Sequence, residues 1–163
     1  MTERPDRLQD GFDPAALTPP YLKAVYDYWN AARGAAAMPP VEAIDPLRLP
    51  RDSLPHLGLV EVEAEPLRFL TRLQGTSVVE ALGIDHTGRY YDEIPGMDAQ
   101  IARLEWCARE RRPYMTEGTA SFAPKDFQHY RLLGLPFGDA AGGVRRILFV
   151  SAFLVPPRNA WGP

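Results

Sequence analysis

The chain has 163 residues, 45% apolar and 24% charged, with a formal net charge of -3, the make-up of one globular domain with a core of its own. Acids and bases are mixed along it without a basic stripe, which argues against a nucleic-acid partner, and no run of about 18 apolar residues offers a membrane span. A single cysteine, Cys107, excludes an intrachain disulfide and a cysteine-rich zinc site.

The first residues, MTERPDRLQDGFDP, are charged and lack the apolar centre of a secretory signal, so a cytoplasmic location is expected. Residues 1–18 read as a frayed, flexible tail. Thr18 then offers an N-cap, and Pro19 suits a first helical position. Leu22, Val25, Tyr26 and Trp29 follow at helical spacing, and Gly34 is placed to end the helix. The spacing predicts an amphipathic helix over 19–33. Prolines between 38 and 55 fix φ and bias their neighbours towards extended geometry, so this stretch reads as an ordered crossing. Its apolar residues Val41, Ile44, Leu47, Leu49 and Leu54 argue against a loose linker.

Residues 56–63 and 67–74 read as two strands of a hairpin turned by Glu65-Pro66. In the second strand Leu67, Phe69, Thr71 and Leu73 share one face, and Arg68 and Arg72 the other. A short helix follows over 76–82, ended by Gly83. Residues 85–96 are turn-rich, with Tyr90, Tyr91 and Ile94 as anchors. A second long helix is predicted over 97–111, with Ile101, Leu104 and Ala108 on one stripe. Strands are predicted over 114–121, 127–137 and 144–155. The last is apolar on both alternating faces, as a central covered strand is. Residues 156–163 read as a tail. Runs of strands with helices grouped between them predict an α+β fold with a five-stranded antiparallel sheet, in one domain over 19–155.

Tyr28-Trp29, Arg33-Gly34, Met38-Pro39, Ile44-Asp45-Pro46, Leu54-Pro55-His56-Leu57, the stretch RFLTRLQGT from Arg68 to Thr76, Gly83, Thr87-Gly88-Arg89 and Leu135-Pro136 occur in an order and spacing that is similar to a PAS family of short alphaproteobacterial proteins. The resemblance covers about residues 19–155. It implies a PAS-like sheet of order 2-1-5-4-3 and a sensory or regulatory role, and it supplies no known ligand. Kinase and cyclase output motifs are missing from the sequence, so the expected mode is action in trans on a separate regulator or kinase.

No residue pattern signals a cofactor. His56, His86 and His129 are scattered, with no two at i, i+3 or i+4 as a metal cluster needs, and they read as surface or hydrogen-bonded histidines. Cys107 lies in Leu-Glu-Trp-Cys-Ala, unlike the polar motif of flavin-binding light sensors, and reads as a small helix hydrophobe. No G-x-S-x-G surrounds any serine, and 138–143 lacks the lysine of a phosphate loop. The acids Asp85, Asp92, Glu93 and Asp98 read as a solvated turn and a helix start. A small enzyme pairing Glu93 or Glu105 with His86 is the remote alternative.

Arg68 and Arg72 on the second strand could fork a ligand's carboxylate or phosphate, or face solvent or pair with Glu61 or Glu63 on the neighbouring strand, and Arg131 in the fourth strand reads the same way. Tyr90, Tyr91, Trp106, Tyr114 and Tyr130 could line a mainly apolar cavity or simply fill the core. From these candidates and His129, the expected ligand pocket is Arg72, Tyr91, Trp106, Tyr114, His129 and Arg131. The aromatic stripe of the first helix, Tyr21, Leu22, Val25, Tyr26 and Trp29, is wider than one sheet face requires. It is the expected homodimer or partner interface, the alternative being that the helix caps its own sheet. The functional expectation is a sensory module that binds a small ligand or a protein, with a filled-core interaction module as the rival.

Overall fold

The structure, a computed structural model, describes residues 3–119, 129–139 and 141–154. Helix α1 spans Pro20–Arg33. The hairpin β1 (Leu57–Ala64) and β2 (Leu67–Gln74) follows a crossing built of 3-10 turns at Val41–Ala43 and Arg51–His56. Helices α2 (Thr76–Leu82) and α3 (Asp98–Glu110) flank a 3-10 turn at Tyr91–Glu93. Strands β3 (Tyr114–Thr119), β4 (His129–Gly138) and β5 (Val144–Leu154) complete an antiparallel sheet of order β2-β1-β5-β4-β3. This is the α+β class expected from the element order and the strand order that the family resemblance implies. Residues 120, 121, 127, 128 and 155 of the expected strands lie outside the described residues, as does the expected tail 156–163.

The sheet is covered on both faces, which is why β5 is apolar on both. Leu133 faces the same side as Val150, and Leu135 the same side as Leu148, all of them buried. On this face lies α1, whose Leu22 and Val25 are fully buried. The opposite face carries Leu132 beside Ser151 and Thr116 beside Leu132, and α3 packs over it.

Two expectations change. The segment before α1 is docked instead of frayed. Gln9 exchanges backbone hydrogen bonds with Met115 on edge strand β3, 2.8 Å each way, and Leu8 and Leu17 are buried. The β3 edge supplies unpaired donors and acceptors that such a segment can satisfy. The faces of β2 also differ from strict alternation. The register slips between Leu59 and Val60, so no residue of β1 stands directly opposite Arg72. One extra residue reverses the alternation beyond it, and Leu73, placed with Phe69 and Thr71 by its spacing, is 52% exposed. In the proline crossing, Leu47 likewise points to solvent.

Candidate functional site

Between α2, α3 and the sheet face opposite α1 lie two adjoining chambers of about 60 and 40 Å³. They share Tyr91, Gln100, Tyr130, Leu132 and Phe149. Val78, Leu82, Ile94, Met97 and Phe153 make the larger one mainly apolar. Thr71, His86, Gln100 and Ser151 add polar groups there, and Arg103, Tyr114 and Thr116 add them in the smaller.

Local sequence places each wall. The Asp85 carboxylate accepts from the Thr87 backbone N–H at 2.9 Å and from the Thr87 hydroxyl at 2.6 Å, forming the turn that ends at Gly88 with φ 88°. Gly88 donates to the Thr71 carbonyl, and the Thr71 N–H donates to Arg89, which pins this turn along β2. His86 is thereby seated over the cavity, and its backbone N–H donates to Gln74 Oε1 at 2.8 Å. Next along the chain, Arg68 forks onto Asp92 with two 2.8 Å bonds and stacks 3.7 Å above the Tyr90 ring. Tyr90 in turn donates to Glu63 at 2.6 Å. This staple holds Tyr90 outward and Tyr91 inward, so that burial raises the Tyr91 phenol pKa well above its ordinary value.

The chambers are short of hydrogen-bond partners. Thr71 Oγ1, His86 Nδ1, Gln100 Oε1 and Thr116 Oγ1 are buried and unpaired, and each belongs to a residue that lines one or both chambers. Buried polar atoms are nearly always paired in folded proteins, because an unmade bond leaves the desolvation cost of the group uncompensated. Four at one place mark a site for water or for a polar ligand. A larger open groove, of about 550 Å³, lies outside around Met38, Arg111 and Asp139. Arg111 there donates to the Gly142 carbonyl and Arg145 lies 3.9 Å from Asp139, and among the described residues its lining carries no buried unpaired polar atom, so we place the site in the chambers.

Of the six expected pocket residues, the structure brings Tyr91 and Tyr114 to the chambers and places the others elsewhere. Arg72 is exposed and lies 3.9 Å from Glu61, the cross-strand pairing that was the alternative. Arg131 faces the α1 side, bonded to Glu117 at 2.7 Å and to Thr18. His129 is exposed at the start of β4. Trp106 is buried, but on the side of α3 that meets Pro5 and Asp6 of the N-terminal segment. Cys107 is fully buried, and burial raises its thiol pKa. Thr71, His86, Gln100, Arg103 and Thr116 are the site residues the pocket expectation missed. Thr71 and Thr116 sit on strands at alternate positions with apolar neighbours, the one signal that marked them as inward.

The residues of the α1 stripe also make contacts within the chain. Trp29 donates to the Pro136 carbonyl at 2.8 Å, Tyr21 stacks on His56 at 4.2 Å, and Tyr26 meets Phe12 edge-on at 5.7 Å. With Leu22 and Val25 buried, all five stripe residues are engaged within the chain. Neither acid of the enzyme alternative partners His86: Glu93 lies 3.4 Å from Arg68, and Glu105 lies 3.5 Å from Arg109.

Burial is the largest influence on His86. It lowers the imidazole pKa below the ordinary 6.5, Arg89 lowers it further and Asp85 opposes both. An NMR titration is therefore expected to place the His86 midpoint below 6.5. The unfolded chain takes up this proton first, so the stability contributed by the neutral ring is complete above pH 6.5 and is lost as pH falls through the folded value. A midpoint at or above 6.5 means the ring is open to water.

A family model described as a PAS domain matches residues 17–150. Among solved structures, the PAS domain of BvgS from Bordetella pertussis is similar at 15% identity and a TM-score of 0.46, with 64% of this chain and 80% of that one covered. No curated protein matches the chain.

Proposed function

The chain belongs to the PAS domain family, and on that premise we propose a cytoplasmic sensory module that binds a small molecule in the two chambers and signals to a separate regulatory chain, such as a kinase. PAS domains are in general signalling modules. The observation that carries ligand binding is the set of four buried, unpaired polar atoms around one cavity. A ligand that satisfies them binds the folded state alone and biases the packing of α2 and α3 over the sheet. Among the described residues, no helix is long and apolar enough to cross a membrane.

The valine isosteres Thr71→Val and Thr116→Val test this reading through two opposed effects. Each removes an orphaned hydroxyl, so the unliganded protein is expected to hold its stability or gain up to about 1 kcal/mol in urea melts. The same variants are expected to weaken small-molecule binding, read as loss of adducts in native mass spectra and of methyl NMR shifts on titration of a fragment library. An adduct-free wild-type chain, with cavity methyls unmoved by every fragment, refutes the ligand reading and leaves an interaction module with a filled core.

A further inference from the structure

We propose that the ligand of this cavity is a small monocarboxylate, held through its carboxylate by Arg103. The inference rests on the ligand-binding reading above and adds the charge and size class of the ligand.

Arg103 is 5% exposed and is the one buried arginine or lysine among the described residues. It projects from α3 at the edge of the smaller chamber. A guanidinium offers five N–H donors and stays charged at any physiological pH. Here Nε donates to the Asp6 carbonyl and Nη1 to the Tyr130 hydroxyl, each at 3.2 Å. Both acceptors are neutral. Among the described residues, every arginine or lysine ion pair belongs to another side chain. A buried cation without a counter-charge is unfavourable, and a carboxylate on the N–H groups that Asp6 and Tyr130 leave over is the geometry the fork fits best.

Charge and volume narrow the class. Arg103 is the only charged residue of the smaller chamber, and the larger adds as a titratable base only His86, whose imidazole pKa burial lowers. One fixed positive charge balances one negative charge. A phosphate dianion or a dicarboxylate would leave a second charge against the Tyr91, Leu132 and Phe149 side chains. Chambers of about 60 and 40 Å³ hold roughly six waters, at about 15 Å³ each, which suits an acid of a few carbons. Thr116 Oγ1 in the same chamber is free to donate to the second carboxylate oxygen. The apolar wall of the larger chamber receives the tail.

The test uses the full chain, with acetate, propionate and butyrate against their uncharged amides and inorganic phosphate. Binding is read by titration calorimetry and by shifts of the Thr116 methyl. At least one acid is expected to bind saturably, at least tenfold tighter than its amide and than phosphate. Arg103→Gln is expected to abolish the preference for acid over amide, and Arg103→Lys to keep part of it. Thr116→Val leaves the charge in place and is expected to weaken the acid while the preference survives. Because the wild-type comparison of acid with amide needs no variant, a misfolded Arg103→Gln does not block the test. Equal binding of acid and amide, tighter binding of phosphate, or unchanged preference in folded Arg103→Gln overturns the carboxylate inference and leaves a ligand-binding cavity standing. A Thr116 methyl unmoved by every probe overturns the inference too, and the fragment screen above then decides the fate of the cavity reading separately.

Discussion

Trp29→Ala is expected to destabilise the protein by about 3–5 kcal/mol in a urea melt, without any dependence of the loss on protein concentration. Trp29 is 2% exposed on the inner face of α1. Its indole packs at 5.8 Å from the Tyr26 ring and is covered on the outside by the Arg33 guanidinium at 5.4 Å. Truncation therefore empties a large volume beneath a helix that cannot collapse far, since Leu22 and Val25 still hold it to the sheet. It also strips the Pro136 carbonyl of its 2.8 Å donor. Trp29→Phe separates the two effects: most of the ring volume stays, the hydrogen bond goes, and a loss of about 1 kcal/mol is expected for the bond itself. The concentration series bears on where a second copy of the chain could dock. If the α1 stripe were an interface between copies, Trp29→Ala would change the sedimentation coefficient of the folded protein at micromolar concentration. With the stripe packed inside one chain, the coefficient stays that of the wild type while the melting midpoint falls. A loss under 1 kcal/mol would mean that α1 is an accessory to the sheet and not its cover.

The fold was legible because its elements carry their signals locally. Gly34 and Gly83 end helices where φ turns positive, at 55° and 80°. The doubly apolar run of β5 could come only from a strand covered on both sides, and α1 and α3 cover it. What spacing could not reveal depends on distant partners. The N-terminal segment looks like a solvated tail, because Leu8 and Leu17 are isolated among charges and prolines. Its order comes from the edge of β3, more than 100 residues on, where Gln9 finds Met115. The site was missed for a related reason. Alternation on a strand separates two faces but does not say which one meets a cavity, so Arg131 was placed with the pocket although it points to Thr18. On α3 the apolar stripe was read through Ile101, Leu104 and Ala108. The buried side chains are Arg103, Leu104, Trp106 and Cys107. An arginine inside the buried face turns the apparent stripe, because a charged residue is scored as solvent-facing. The residue that hid the helix face is the one on which the carboxylate inference rests. Its Nε bond to the Asp6 carbonyl also ties it to the N-terminal segment.

Gly58→Ala is expected to shut the cavity from the sheet side. Gly58 on β1 lies opposite Phe149 on β5, and a Cβ at Gly58 would stand 1.8 Å from the tip of the Phe149 ring. The ring thus rests on bare backbone, the situation in which a strand glycine is kept for close approach. Phe149 lines both chambers. With β1 closed to it by a methyl group, the ring swings towards α3 and takes up the space that a ligand needs. Overpacking of this kind costs about 1–3 kcal/mol, so the variant is expected to fold, with a lower midpoint in urea. Its binding of any cavity ligand is expected to fall by at least about tenfold, the equivalent of 1.4 kcal/mol. Gly11→Ala is the matched control, because a Cβ there meets nothing within 4 Å. Ring-current shifts at the Leu132 and Met97 methyls report the movement of Phe149 directly. Wild-type shifts together with wild-type ligand affinity in Gly58→Ala would show that the ring relaxes elsewhere, and that the space beneath α3 is not what the ligand occupies.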